Sequence, residues 1–202
     1  MQWGAETLQQ HFGAIDIYLF DQILRGNIRP DMRVLDAGCG DGRNLVYFLN
    51  EGYEVFGADF DAEAVAQTRL LANRLPVSNF HVEPVEHLSF PANFADVVIS
   101  SAVLHFARSD DHFNAMLAGS WRPLKAGGLF FCRLASSIGI ESQIQRINGR
   151  RYLLPDGSER YLVDEAMLVE KTLALGAQLV DPLKTTVVQG QRAMSTWVMR
   201  KT

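Results

Sequence analysis

The run Val34-Leu35-Asp36-Ala37-Gly38-Cys39-Gly40-Asp41-Gly42-Arg43-Asn44 constrains the fold more than any other stretch of this chain. It reads as a buried strand, an acidic residue near its end, a glycine-rich turn and a polar helix start. Glycine lacks a Cβ, so such a turn lets the backbone approach a ligand closely. In an α/β sheet, the turn at the carboxyl end of the first strand is where cofactors bind. The spacing narrows the choice. Gly38, Gly40 and Gly42 form G-x-G-x-G, whereas the dinucleotide fingerprint G-x-G-x-x-G needs a glycine at 43, which is Arg43. No Gly-Lys-Ser/Thr follows, so the turn is not a phosphate loop either.

Strand and helix signals alternate around this turn, which predicts an α/β protein with a mostly parallel sheet. The expected strands cover 32–36, 53–58, 79–83, 94–101 and 127–134. Helices are expected over 43–50, from an N-cap at Asp61 through 73, and over 110–122, where Pro123 breaks the pattern. Residues 138–161 are polar, with turn signals at Asn148-Gly149 and Pro155-Asp156-Gly157. A helix over 164–175 ends at Gly176. Two closing strands, 178–188 and 194–200, are joined near Gln189-Gly190 and so expected to be antiparallel. Residues 6–24 form an amphipathic helical stretch, broken near Gly13.

A length of 202 residues fits one domain with a sizeable core. The net charge of -4 does not support a nucleic-acid footprint. No apolar run reaches the ~18 residues of a membrane span. The first residues lack the pattern of a signal peptide, and the two cysteines, Cys39 and Cys132, cannot build a disulfide framework. These features lead us to expect a cytoplasmic protein. Nothing in the sequence fixes the oligomeric state.

Three motifs in order resemble the class I S-adenosylmethionine-dependent methyltransferases: Val34–Asn44; Val55-Phe56-Gly57-Ala58-Asp59, similar to the second strand and its ribose-binding acid; and Leu124-Lys125-Ala126-Gly127-Gly128, similar to the turn before strand five. The resemblance covers residues 30–202. It implies a Rossmann-like three-layer αβα sandwich with a seven-stranded mostly parallel sheet and one antiparallel strand near the C-terminus. It further implies a single methyltransferase domain over 1–202, with a helical cap at 1–30 and a substrate-side insert at 138–161. The expected cofactor is S-adenosyl-L-methionine, and the expected acceptor is a small molecule rather than a nucleic acid. The compact size and the run Leu35–Asn44 also resemble tellurite-resistance and thiopurine-type methyltransferases.

The resemblance assigns cofactor contacts to Asp36, Gly38, Cys39, Gly40, Asn44, Asp59 and Ser101. Asp59 lies 23 residues beyond Asp36, where a carboxylate can accept both ribose hydroxyls. Asp61 is available for the helix-capping role that would otherwise account for Asp59. Adenine recognition falls on the backbone around Val85 and Glu86, because Pro84 occupies the position where relatives carry an acid. Glu86 is either a direct ligand or a solvated loop carboxylate, and Phe60 either stacks on adenine or packs in the core. His105, in the segment leaving strand four, is the candidate general base, with a shape-only role as the alternative. Arg146, Arg150, Arg151 and Arg160 in the insert either grip an anionic acceptor or form a solvated face. No histidine or cysteine spacing suits a metal. Two rival readings stand beside methyl transfer: a catalytically silent cofactor-binding protein of the same fold, and a nicotinamide-dependent oxidoreductase, which Arg43 disfavours.

Overall fold

A computed structural model describes residues 5–202. The principal sheet is built from β1 (Arg33–Ala37), β2 (Glu54–Asp59), β3 (Phe80–Val82), β4 (Ala95–Ser101), β5 (Leu124–Ala135), β9 (Ala177–Leu179), β10 (Lys184–Val188) and β11 (Arg192–Lys201). Its order is β10-β11-β5-β4-β1-β2-β3, with β9 also pairing to β11. β1 to β5 are mutually parallel, and β11 runs against β5, β9 and β10. The expected parallel sheet with one reversed strand is therefore present. Residues 178–188 differ from expectation: they form two short strands separated by a bend. In that bend Asp181 accepts hydrogen bonds from Gln22 and Arg25, long-range partners that local pattern cannot reveal.

β4 explains the layering. Its residues are almost all buried, as a central strand covered on both faces requires. One core lies on the face of Leu35, Val98 and Phe130, under α5 (Asp110–Trp121) and α6 (Glu165–Ala174). The other contains Val34, Val97, Ile99 and Phe131 with Leu19 and Phe48, under α2 (Ile17–Leu24), α3 (Val46–Asn50) and α4 (Ala62–Leu71). The helix starts are chemically encoded. Asp16, Asp61, Ser109 and Asp164 each accept a backbone N–H of the following turn. The leading helical stretch is interrupted as expected, with α1 (Ala5–Phe12) ending before Gly13, whose φ is +63°. The helix expected from 43 begins later, because residues 42–45 make a turn closed by Leu45 N–H to Gly42 C=O.

The polar segment 138–161 carries its own three-stranded sheet of β6 (Gln145–Asn148), β7 (Arg151–Leu153) and β8 (Glu159–Tyr161). Asn148-Gly149 and Pro155-Asp156-Gly157 lie in its two hairpin connections. β8 packs on the 3-10 turn Leu104–Phe106 that follows β4. The strand order reverses between β1 and β4. This is the switch point where an open α/β sheet leaves a crevice beyond its carboxyl ends.

Candidate functional site

The crevice holds a cavity of about 620 Å³. The glycine turn forms its floor. Gly38 and Cys39 N–H groups donate to Ala58 C=O, and Gly40 N–H donates to Asp59 Oδ2 at 3.0 Å. All three turn glycines have positive φ, a conformation other residues adopt at a cost. Their duties differ. A Cβ on Gly38 would strike Val103 at 2.3 Å. A Cβ on Gly40 would meet no protein atom within 4 Å, so it would project into space a ligand can use. A Cβ on Gly42 would press on Leu71 and Thr68 of α4, so that glycine serves helix packing. Ala102, just past β4, also has positive φ (65°) and lines the cavity, an outlier of the kind that clusters at functional sites.

Asp59 ends β2 on the cavity wall. Its Oδ1 accepts Asp61 N–H and its Oδ2 accepts Gly40 N–H, each at 3.0 Å. An ionised carboxylate has about four acceptor directions, so two remain for a ligand diol. Phe60 stands beside it, 77% exposed and on the wall, not in the core. Pro84, Val85 and Glu86 form the opposite wall. Glu86 is neither a bare loop carboxylate nor free to move. Its Oε1 lies 3.2 Å from His112 Nε2, and that partner is among the contacts that hold its carboxyl below the usual range against burial. Cys39, Asn44 and Ser101 complete the wall among the expected residues.

Two expected residues stand elsewhere. Asp36 is buried behind the turn, and neither carboxylate oxygen has a hydrogen-bond partner among the described residues. Burial raises its carboxyl to about 8; Arg43 opposes that shift and Asp59 adds to it. An orphaned carboxyl beside a ligand cradle is what a site for an ammonium-bearing ligand would leave, so the residues fit the amino-acid end of S-adenosylmethionine. A pH effect follows. The folded carboxyl keeps its proton up to about 8, and the unfolded one loses it near ~4. Between those values the folded state binds more protons, so rising pH erodes stability. Ligand-free protein is expected to melt progressively lower from pH ~5.5 to ~8.5, and Asp36→Asn to flatten that slope. Equal slopes in thermal melts of the two proteins would refute the assignment.

His105 does not suit the role of base. Its Nδ1 accepts Ala135 N–H at 3.1 Å, which commits the ring lone pair and puts the proton on Nε2. Burial, reinforced by Arg160, pushes its pKa down to about 3, and the ring is absent from the cavity wall. The residue instead anchors the end of β5. His105→Ala leaves that buried N–H without a partner and is expected to cost ~1–3 kcal/mol. The loss should appear as a lower melting temperature, with S-adenosylhomocysteine affinity changed less than about threefold. A variant as stable as wild type would remove the anchoring role.

Val103 and Phe106, in the segment leaving strand four, also line the wall, and nothing in the sequence marked Arg43 as a site residue, or Arg108, His112 and Met116. Arg43 was legible only as a departure from the dinucleotide fingerprint. In the fold its guanidinium donates to Ser101 Oγ at 3.2 Å and to Ala14 C=O. Ser101 in turn donates to Asp16 Oδ2, which also receives Arg133 at 3.1 Å. Asp16 N–H donates to Asn44 Oδ1. The segment before α2 is thereby fastened to the cavity floor. Trp3, expected among the covering aromatics, lies outside the described residues. Phe12 and Phe20 pack on each other and on Tyr47, in an aromatic cluster with His11.

Comparison with known proteins agrees with this geometry. A family model described as a methyltransferase domain matches residues 35–132, from β1 through most of β5. The uncharacterized methyltransferase sll0829 of Synechocystis sp. is 30% identical over 103 residues, covering 51% of this chain and 47% of that protein. The uncharacterized methyltransferase C70.08c of Schizosaccharomyces pombe is 26% identical over 171 residues, covering 81% and 62%. The chain thus spans about half to three-fifths of the length of these relatives. Among solved structures, the 1,6-didemethyltoxoflavin-N1-methyltransferase of Burkholderia thailandensis superimposes with a TM-score of 0.70 at 23% identity, covering 98% of this chain and 82% of that one. Among the described residues, no helix is long and apolar enough to cross a membrane. With its G-x-G-x-G turn at the strand-order switch point and its acid at the end of β2, the stretch 35–132 is a methyltransferase domain, set in the fold of the S-adenosylmethionine-dependent methyltransferases.

Proposed function

We propose that this chain transfers the methyl group of S-adenosylmethionine to a small-molecule acceptor. The observation that carries the reading is the single cavity joining the glycine turn and Asp59 to the open rim at Phe106 and Arg108. Asp59 would hold the ribose, and Asp36, behind the turn and off the wall, would act on the ammonium through intervening water. Phe60, Val85 and Glu86 would flank the adenine, and the backbone of Gly38 to Gly40 would approach the amino-acid end. The cofactor supplies an already activated methyl; the chain supplies in-line approach and exclusion of water. His112, the one histidine on the wall among the described residues, has both ring nitrogens engaged, by Arg108 and Glu86. The wall is therefore read as positioning machinery, not as a source of an imidazole base.

A small acceptor is favoured by the net negative charge and by two segments that touch wall residues, 5–30 through Ala14 C=O on Arg43 and 138–161 through Arg160 on Phe106. The solved toxoflavin-precursor enzyme, described with its small acceptor and S-adenosylhomocysteine bound, is consistent with this choice. Calorimetry with S-adenosylhomocysteine tests the cofactor assignment. Ionisation of Asp36 on binding its ammonium should release a proton near neutral pH, read as heat that varies with buffer ionisation enthalpy. Release of S-adenosylhomocysteine across a panel of metabolites, thiols and chalcogen compounds then tests turnover. Binding without release on any acceptor would favour the silent reading, and stabilisation by NAD instead would favour the oxidoreductase.

A further inference from the structure

We propose that the acceptor carries an anionic group, carboxylate or phosphate, held by Arg108 on the cavity wall and by Arg160, which lies over the ring of Phe106. The inference rests on the reading that this cavity is the methyl-transfer site, and it adds the chemical class of the acceptor. It starts from an accounting of the arginines around the insert. Arg150 pairs with Asp164 and Arg151 with Glu159, so neither has charge to offer. Arg146 is turned to the hydroxyl of Tyr152. Among the described residues, neither Arg108 nor Arg160 makes a close ion pair, although the charge of Arg160 acts on Asp156. Arg160 bonds only the carbonyl of Glu159, and Arg108 shares its Nε with His112 at 3.4 Å, leaving its terminal nitrogens free.

Phe106 links the two: Arg160 lies over its ring, and Arg108 lines the same cavity wall. Phe106 is 56% exposed and lines the cavity, although its neighbours Leu104 and His105 in the same turn are buried. The Arg160 guanidinium carbon lies 4.9 Å from the Phe106 ring centroid, and Arg108 shares the cavity wall with Phe106. A half-exposed ring under one guanidinium group, on a wall that carries a second, suits a flat or apolar body with an acidic substituent, because guanidinium recognises carboxylate and phosphate in a planar, bidentate way. The carboxylates nearby are engaged. Asp110 accepts from Tyr161 O–H at 2.8 Å, Asp156 accepts from Ser158, and Glu86 bonds His112. Asp110 and Asp111 line a smaller cavity, about 280 Å³, with Arg108, Arg150 and Arg151, and neither acid makes an ion pair with Arg108.

The test uses protein saturated with S-adenosylhomocysteine and three probes of one shape: benzoate, phenyl phosphate and neutral benzamide. Calorimetry is expected to show at least one anion binding at least tenfold more tightly than benzamide, and which anion wins separates carboxylate from phosphate recognition. Arg108→Gln and Arg160→Gln should each weaken that anion about tenfold. Arg160→Gln should leave S-adenosylhomocysteine affinity unchanged, and Arg146→Gln should leave anion affinity unchanged. Benzamide binding as tightly as both anions, no binding by either anion, or full anion affinity in the Arg108→Gln and Arg160→Gln variants would each overturn the proposal. Failure of S-adenosylhomocysteine itself to bind would instead sink the methyl-transfer reading.

Discussion

Asp59→Ala is expected to raise the Kd for S-adenosylhomocysteine by about 100-fold or more in calorimetry. Two hydrogen bonds from ribose hydroxyls to an ionised acceptor contribute ~1.5–3 kcal/mol each, and ~1.4 kcal/mol is tenfold in affinity. The substitution also frees Gly40 N–H, which now donates to Asp59 Oδ2 and helps fix the floor of the cradle. Asp59→Asn keeps one acceptor oxygen and should fall between, near tenfold. The pair therefore separates loss of charge from loss of the side chain. Unchanged affinity in the alanine variant would place the sugar somewhere other than the end of β2.

The largest effect on stability is expected from Gly119→Ala in the middle of α5. A Cβ there would lie 2.1 Å from Val85 C=O and 2.8 Å from Glu86 Cα. Both are backbone atoms that no rotamer change can move aside. Helix α5 or the 85–87 turn must retreat, at a cost on the order of 3 kcal/mol. For a protein of this size that corresponds to a melting temperature lower by ~6–12 °C. Because Val85 and Glu86 line the cavity where we propose that adenine sits, cofactor affinity should fall as well. An alanine variant that melts with wild type would mean that α5 does not press against that turn.

Much of this was readable from the chain alone, and the boundary has physical causes. The strands up to β5, the glycine turn and Asp59 follow from local periodicity and turn chemistry, which short windows of sequence contain. The insert hairpins were legible for the same reason, through Asn148-Gly149 and Pro155-Asp156-Gly157. The fate of His105 was not, because its tautomer is set by Ala135 N–H, 30 residues away. Nor was the need for glycine at 119, which looks like an ordinary helix position until the turn at 85–87 is laid across it. Arg108 escaped notice because nothing near it in sequence says that β8 will pack against the turn at 104–106.

The fastening of Asp16 beneath the cavity floor has a consequence for how the molecule can be shortened. One carboxylate starts α2 through Tyr18 N–H and receives both Ser101 and Arg133, while the backbone of the same residue holds Asn44. A version trimmed to begin at Ile17 would retain every strand of the sheet yet leave Arg133 without its carboxylate and Arg43 without the Ala14 carbonyl. Such a trimmed protein would fold around its sheet and fail at its ligand, so the stretch ahead of the first strand belongs to the binding apparatus as much as the glycines do.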